Sequence, residues 1–259
     1  MRKFGLILLT AMAIASHGAA YANAPKQYGY IVRESFPHAT DSYTQGFEIS
    51  DGVLYESTGL YGASRLMKHD ISSGGRNAKR TTIATLPRNE FGEGITIVGD
   101  SIFMLTWREG RMHIFNKKSG ERVDTKRYAG EGWGITSNDG VLYMSDGSPT
   151  ITKRDRKTFM PIETNIVTME GRAIEMINEL EWIEGKIWAN IYQSDKIVII
   201  DPESWVVEGV IDLTGILPQS ERTEQTDVLN GIAYDKATKK IYVTGKNWSK
   251  MFQIEIFER

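Results

Sequence analysis

Five segments of this chain share one pattern, and that repetition restricts its fold more than any other feature. Each opens on a small or polar turn, runs through an alternating strand, turns tightly, and enters a second strand with a central aromatic residue. The segments are Gln45-Gly46-Phe47-Glu48-Ile49 before Val53-Leu54-Tyr55, and Glu93-Gly94-Ile95-Thr96-Ile97 before Ile102-Phe103. The third is Trp133-Gly134-Ile135-Thr136 before Val141-Leu142-Tyr143, and the fourth is Asn178-Glu179-Leu180-Glu181-Trp182 before Lys186-Ile187-Trp188. The last is Asn230-Gly231-Ile232-Ala233-Tyr234 before Lys240-Ile241-Tyr242. The central aromatics Tyr55, Phe103, Tyr143, Trp188 and Tyr242 recur at intervals of 48, 40, 45 and 54 residues. Repeats of about 40–50 residues are the blade period of a β-propeller.

The turns inside the repeats carry hairpin chemistry: Asp51-Gly52, Gly99-Asp100, Asp139-Gly140 and Glu184-Gly185. Third strands follow, among them Arg65-Leu66-Met67-Lys68-His69 and Lys196-Ile197-Val198-Ile199-Ile200. The last repeat has three clear strands, ending in Phe252-Gln253-Ile254-Glu255-Ile256, and Tyr30 to Phe36 precedes the first repeat. That segment is the expected missing strand, since an open ring would leave pairable edges. The expected fold is all-β: a five-bladed β-propeller over residues 23–259, its last blade closed by the N-terminal strand. A two-sheet sandwich is the alternative. Helical periodicity is confined to a short stretch near Leu213 to Leu217, and no composition break suggests a second domain.

Residues 1–22 read as a signal peptide. Arg2 and Lys3 precede an apolar run from Phe4 to Ala15, and Ala20-Tyr21-Ala22 is an A-x-A cleavage site. Export, to the periplasm or outside the cell, is therefore expected. With no cysteine in the chain, disulfides, thiol nucleophiles and a lipoprotein anchor are excluded. The formal net charge of −2 falls to about −4 without Arg2 and Lys3. No basic patch favours nucleic acid. A monomer without a membrane contact after cleavage is expected.

In a ring of blades, the starts of the innermost strands meet at one mouth of the central channel. Gln45, Glu93, Trp133, Asn178 and Asn230 would converge there. Glu93 lies between two glycines, where backbone can turn tightly and another group can come close. Trp107 and Trp133 sit beside strand ends, and Lys246 follows Thr244-Gly245. His17, His38, His69 and His113 are not paired at ligand spacing, so no metal or cofactor is expected. Neither Gly-x-Ser-x-Gly nor a phosphate-binding loop is present.

At these residues the chain resembles the plant and bacterial type of glutaminyl cyclase. The resemblance rests on Tyr43-Thr44-Gln45-Gly46, Phe91-Gly92-Glu93-Gly94-Ile95-Thr96, Leu105-Thr106-Trp107, Glu131-Gly132-Trp133-Gly134, Asn178-Glu179-Leu180-Glu181, Trp188-Ala189-Asn190-Ile191, Leu229-Asn230-Gly231-Ile232-Ala233 and Val243-Thr244-Gly245-Lys246. It spans essentially the whole chain after the leader. It implies five-bladed propellers, unrelated to the α/β zinc enzymes of animals. It also implies a reaction: an N-terminal glutamine of a peptide or protein is cyclised to pyroglutamate, with release of ammonia. Glu93 is then the proton-transfer residue. Gln45, Asn178 and Lys246 would bind and orient substrate, and Tyr43, Phe91, Trp107 and Trp133 would form apolar walls. Tyr192 stands where the family often has tryptophan, keeping an aromatic wall and adding a hydroxyl.

Two other readings of the same residues differ in kind. A metal-dependent propeller hydrolase of the lactonase type would use Glu93, Asn178 and Asn230 as ligands. A non-catalytic binding module of the cell envelope would hold a peptide in the pocket without turning it over.

Overall fold

Tight hairpins set the local plan. Asp51-Gly52, Asp139-Gly140 and Glu184-Gly185 have positive φ at both turn positions, the conformation of the turns that match strand twist. At Gly99-Asp100 only the glycine is left-handed.

A computed structural model describes residues 24–70 and 80–259; the expected leader lies outside them. Strand β1 covers Lys26–Pro37. Four antiparallel strands follow: β2 (Thr44–Ser50), β3 (Val53–Thr58), β4 (Arg65–Asp70) and β5 (Arg80–Thr85). The next four are β6 (Gly92–Val98), β7 (Ser101–Thr106), β8 (Arg111–Asn116) and β9 (Arg122–Arg127). A third set comprises β10 (Ile135–Asn138), β11 (Val141–Ser145), β12 (Thr150–Asp155) and β13 (Pro161–Ile166). A small hairpin, β14 (Thr168–Met169) and β15 (Arg172–Ala173), leads to β16 (Ile177–Ile183), β17 (Lys186–Ile191), β18 (Lys196–Ile200) and β19 (Val207–Asp212). The chain ends with β20 (Leu229–Asp235), β21 (Lys240–Gly245) and β22 (Lys250–Glu258). Leu213 to Leu217 forms turns, and the single helical element among the described residues is a 3-10 turn at Gln219–Glu221.

The first and last strands pair antiparallel, from Tyr28 opposite Glu258 to Pro37 opposite Lys250. The start of β1 also pairs in parallel with β19, joining two four-stranded runs into one eight-stranded sheet. The inner strands touch in a closed circuit: β2 on β6, β6 on β10, β10 on β16, β16 on β20, and β20 back on β2.

Two features let these strands approach. One is glycine beside the convergence point. A Cβ on Gly46 would lie 2.4 Å from the Ile95 nitrogen, and one on Gly134 would lie 2.0 Å from the Asn178 oxygen. The fourth repeat has Glu179 instead of glycine at this place. Its carboxylate accepts the Phe47 and Ile232 amides at 3.2 and 3.0 Å, so β16 is pinned to both β2 and β20. The other feature is the second-strand aromatic, which packs towards the following unit. Tyr55 joins Ile95 and Ile102, Phe103 joins Ile135 and Leu142, and Tyr143 joins Leu180 and Ile187. Trp188 joins Ile232 and Val243, and Tyr242 joins Phe47 and Leu54, which completes the circuit. Burial of each such side chain contributes about 1.5–3 kcal/mol.

Candidate active site

Four inner hairpins slip register at their first residues, between Thr44 and Gly46, Gly92 and Ile95, Ile177 and Leu180, and Leu229 and Ile232. A β-bulge leaves its extra residue unpaired and re-aims the side chain. The residues within these slips include Gln45, Glu93, Asn178 and Asn230. Trp133 needs no bulge, because it precedes β10.

Gln45, Glu93, Trp133 and Asn178 line one pocket of about 190 Å³, together with Tyr43, Phe91, Trp107, Tyr192 and Lys246. All nine residues expected in the site are therefore there. Leu60, from the β3–β4 connection, lines it as well and was not anticipated from the sequence. Asn230 lies beneath the pocket. It is buried, and its Nδ2 donates to the Thr44 carbonyl at 3.0 Å and to Gln45 Oε1 at 3.4 Å.

Glu93 is 5% exposed. Its Oε1 accepts from Gln45 Nε2 at 3.1 Å, and Ser57 Oγ holds its backbone carbonyl at 2.6 Å. Burial pushes the Glu93 carboxyl well above the usual range. The Lys246 cation opposes this, while the Glu131 and Glu109 carboxylates add to it. Burial lowers the Lys246 ammonium from its ordinary value, against the pull of Glu93 and Asp227. Its Nζ lies 4.7 Å from the centre of the Tyr43 ring and 5.0 Å from that of Tyr192. Two ring faces thus hold a cation that makes no hydrogen bond among the described residues. Asn178 is buried and its Oδ1 has no hydrogen-bond partner. A buried acceptor left free in this way is suited to an N–H of a ligand.

The walls are fixed from behind. Glu131 Oε2 accepts the indole N–H of Trp107 at 2.7 Å and that of Trp133 at 3.0 Å. Its other oxygen takes Arg108 Nε at 3.0 Å, and the Arg108 guanidinium lies 3.7 Å from the Trp107 ring centre. Tyr43 donates its hydroxyl to Asp227 at 2.9 Å, with burial first among the causes that push that phenol above its ordinary value. Phe91 packs edge-on against Trp107 and Tyr43. Glu131 stands in one of the sequence motifs, but spacing does not reveal that it joins two tryptophans, one just after β7 and one just before β10.

A larger hollow of about 690 Å³ lies beside Lys26 and Lys186. Its charges are already paired: Lys186 with Asp201 and Glu208, Lys26 with Glu258, and Glu184 with Lys239. The smaller pocket is where buried ionisable groups and a free polar atom face a common space.

The family model for glutamine cyclotransferase matches residues 5–256. A glutaminyl-peptide cyclotransferase of Arabidopsis thaliana is 35% identical over 227 residues, which are 85% of this chain and 69% of that one. The crystal structure of Myxococcus xanthus glutaminyl cyclase superposes with a TM-score of 0.81 at 32% identity, over 91% of this chain and 99% of that one. With a match of that length over both sequence and fold, the chain belongs to the glutamine cyclotransferase family.

Proposed function

We propose that this protein is a glutaminyl-peptide cyclotransferase, converting an N-terminal glutamine of peptides or proteins to pyroglutamate and ammonia. The observation that carries the reading is Glu93: one carboxyl with a raised pKa, buried in a pocket of about 190 Å³ among aromatic rings. That volume is about six waters' worth, the scale of one side chain rather than a length of peptide.

The α-amine nitrogen of the substrate attacks the γ-carboxamide carbon of the same residue. A C–N bond forms, and the bond to the leaving nitrogen breaks. Both reacting groups belong to one residue, so confinement in a folded conformer supplies much of the rate. Glu93, as carboxylate, takes a proton from the amine and returns it to the leaving nitrogen, which departs as ammonia. Lys246 supplies a donor and positive charge for the carboxamide oxygen as negative charge develops there. The free Asn178 Oδ1 accepts an N–H of the substrate, and Gln45 holds the Glu93 carboxyl in place. Tyr43, Phe91, Trp107, Trp133 and Tyr192 exclude water.

The scaffold in this reading is a five-bladed β-propeller, one blade for each four-stranded run, the last completed by β1. The closed circuit of inner strands and the five inter-unit cores support it. Residues 1–22 act as an export leader, and the mature chain works as a monomer in the periplasm or outside the cell. N-terminal sequencing of the exported protein should begin at Asn23.

The metal-hydrolase reading needs Glu93, Asn178 and Asn230 around one space, but of these only Glu93 and Asn178 line the pocket. The test of the main reading is a mass assay on a Gln-initiated peptide. The wild type should remove the mass of one ammonia above the spontaneous background, and Glu93→Gln should be slower by about 10²–10⁴-fold. Activity abolished by chelator and restored by metal would favour the hydrolase. Near-normal turnover by Glu93→Gln would overturn the role of Glu93.

A further inference from the structure

We propose that a second groove, beyond Leu60, receives the residues that follow the N-terminal glutamine, and that its occupant is the extended main chain of the substrate. The inference rests on the glutamine-cyclising reading of the pocket.

Cyclisation brings the α-amine and the side-chain carboxamide together at Glu93, deep in the pocket. The α-carbonyl is the one substituent that must lead out, since the rest of the peptide hangs from it. Of the ten lining residues Leu60 is the one most open to solvent, 44% exposed. Most of the remaining wall is tethered, with Trp107 and Trp133 on Glu131 and Tyr43 on Asp227. The exit is therefore past Leu60.

Leu60 also lines an open groove of about 650 Å³, more than three times the volume of the pocket. Pocket and groove thus share one ridge. The ridge is built rather than loose. Leu60 holds φ +85, a left-handed conformation that is costly for a branched side chain. The turn is held on both sides: the Gly59 amide donates to the Tyr43 carbonyl, while the Ala63 amide and Ser64 Oγ both bond the Leu60 carbonyl. Ser64 Oγ also accepts the amide of Gly92, the neighbour of Glu93. The ridge is thereby registered to the strand that carries the carboxyl.

The groove chemistry suits a backbone. Its floor at Gly62 and Ala63 is small and exposed. Its sides carry neutral polar groups, among them Thr85 and Gln225, whose side chains make no hydrogen bond among the described residues. Its charged pair is internally matched, Asp41 accepting from Arg65 and also from Arg80. Main-chain amides and carbonyls would find partners there, and no single side-chain charge would be demanded. The substrate class is thus a free polypeptide N-terminus with several extended residues after the glutamine, of tolerant sequence.

The experiment compares kcat/KM on H-Gln-NH2 and on Gln-Ala-Ala-Ala-NH2 for wild type, Ala63→Trp and Thr85→Trp, with melting temperatures as folding controls. The wild type is expected to favour the tetrapeptide by about tenfold, chiefly through KM. Both variants, which fill the groove from the β3–β4 connection and from the end of β5, should lose that preference. Equal kcat/KM on the two substrates in the wild type would overturn the inference, as would a preference that survives both substitutions. A wild type inert on both substrates would instead sink the cyclase reading itself.

Discussion

Replacing Glu131 tests whether the pocket walls are positioned by one carboxylate. Oε2 holds two indole N–H groups, at 2.7 and 3.0 Å. Burial pushes this carboxyl upward, but the hydrogen bonds from Trp133, Trp107 and Arg108 outweigh it and hold its pKa below the ordinary value. A hydrogen bond to a charged group contributes about 1.5–3 kcal/mol. The Glu131 side chain is 36% exposed, so water can replace part of what is lost and the lower figure applies. Two bonds then give a ceiling of about 3 kcal/mol, or about 100-fold in rate if all of it serves to orient the walls. Glu131→Ala should lower kcat/KM by about 10- to 100-fold. Glu131→Gln keeps an oxygen for the indoles at about half the strength, and should cost about 3- to 10-fold.

A second readout separates this from mere damage. Glu131 is one of the charges that raise the Glu93 pKa. In the proposed reaction Glu93 works as a carboxylate, so the rate should climb as pH rises through its pKa. Removing a nearby negative charge lowers that pKa, and the ascending limb should move to lower pH in both variants equally. The assay is ammonia release from a Gln peptide across pH, compared with the wild type so that titration of the substrate amine cancels. Glu131→Ala within twofold of the wild type, or a limb that moves to higher pH, would refute the reasoning.

Three further outcomes are expected. Lys246→Met removes the cation that opposes the upward shift of Glu93, so the same limb should move to higher pH, opposite in sign to the Glu131 variants. Glu56 is fully buried, accepting from Thr44 at 2.7 Å and bonding His38 at 3.0 Å and His69 at 2.8 Å. Its carboxyl sits well below 4.5, since the pull of His38 and His69 outweighs burial, and the His38 imidazole sits above 6.5, since Glu56 outweighs burial there. The Glu56 share of stability is present above 4.5 and lost as pH falls, while the His38 share is present below 6.5 and lost as pH rises. Urea melts should therefore show the largest deficit of Glu56→Gln between these values, at about 3–5 kcal/mol, and a flat difference across pH would contradict it. Burial, reinforced by Glu48 and Glu179, raises the Glu181 carboxyl well above 4.5 in the folded state, so the wild type loses stability as pH rises from 4.5 through that folded value. An amide at this position keeps an oxygen for the Tyr234 amide, accepted now at 2.9 Å. Glu181→Gln should thus gain melting temperature over the wild type at about pH 9 and little at about pH 5.

The repeats were readable because their signals are local. A left-handed turn position favours glycine, often after an acidic residue, and an aromatic at a fixed offset marks a second strand. The site residues were readable because each opens a repeat or ends one of its strands. The buried carboxylates were not. Glu48, Glu179 and Glu181 look like the polar face of half-exposed strands, yet β2 and β16 are covered on both faces by neighbouring inner strands. Their oxygens accept backbone amides of adjoining units, which no single segment predicts. The same holds for Leu60 and Glu131, whose significance lies in what stands across a gap. The parallel contact of β1 with β19 and the hairpin β14–β15 also depend on neighbours distant in the chain or on very short pairings.

The pairing of β1 with β22 has a consequence for the timing of activity. Gln45 belongs to the second strand made, and Lys246 follows β21. Asn247 donates its amide to the Ser42 carbonyl, just ahead of the strand that carries Gln45. A growing chain thus holds Glu93 and the aromatic walls before the lysine arrives. The pocket gains its cation only with the turn after β21, and the pairing that ties β1 to β22 waits for a strand made later still.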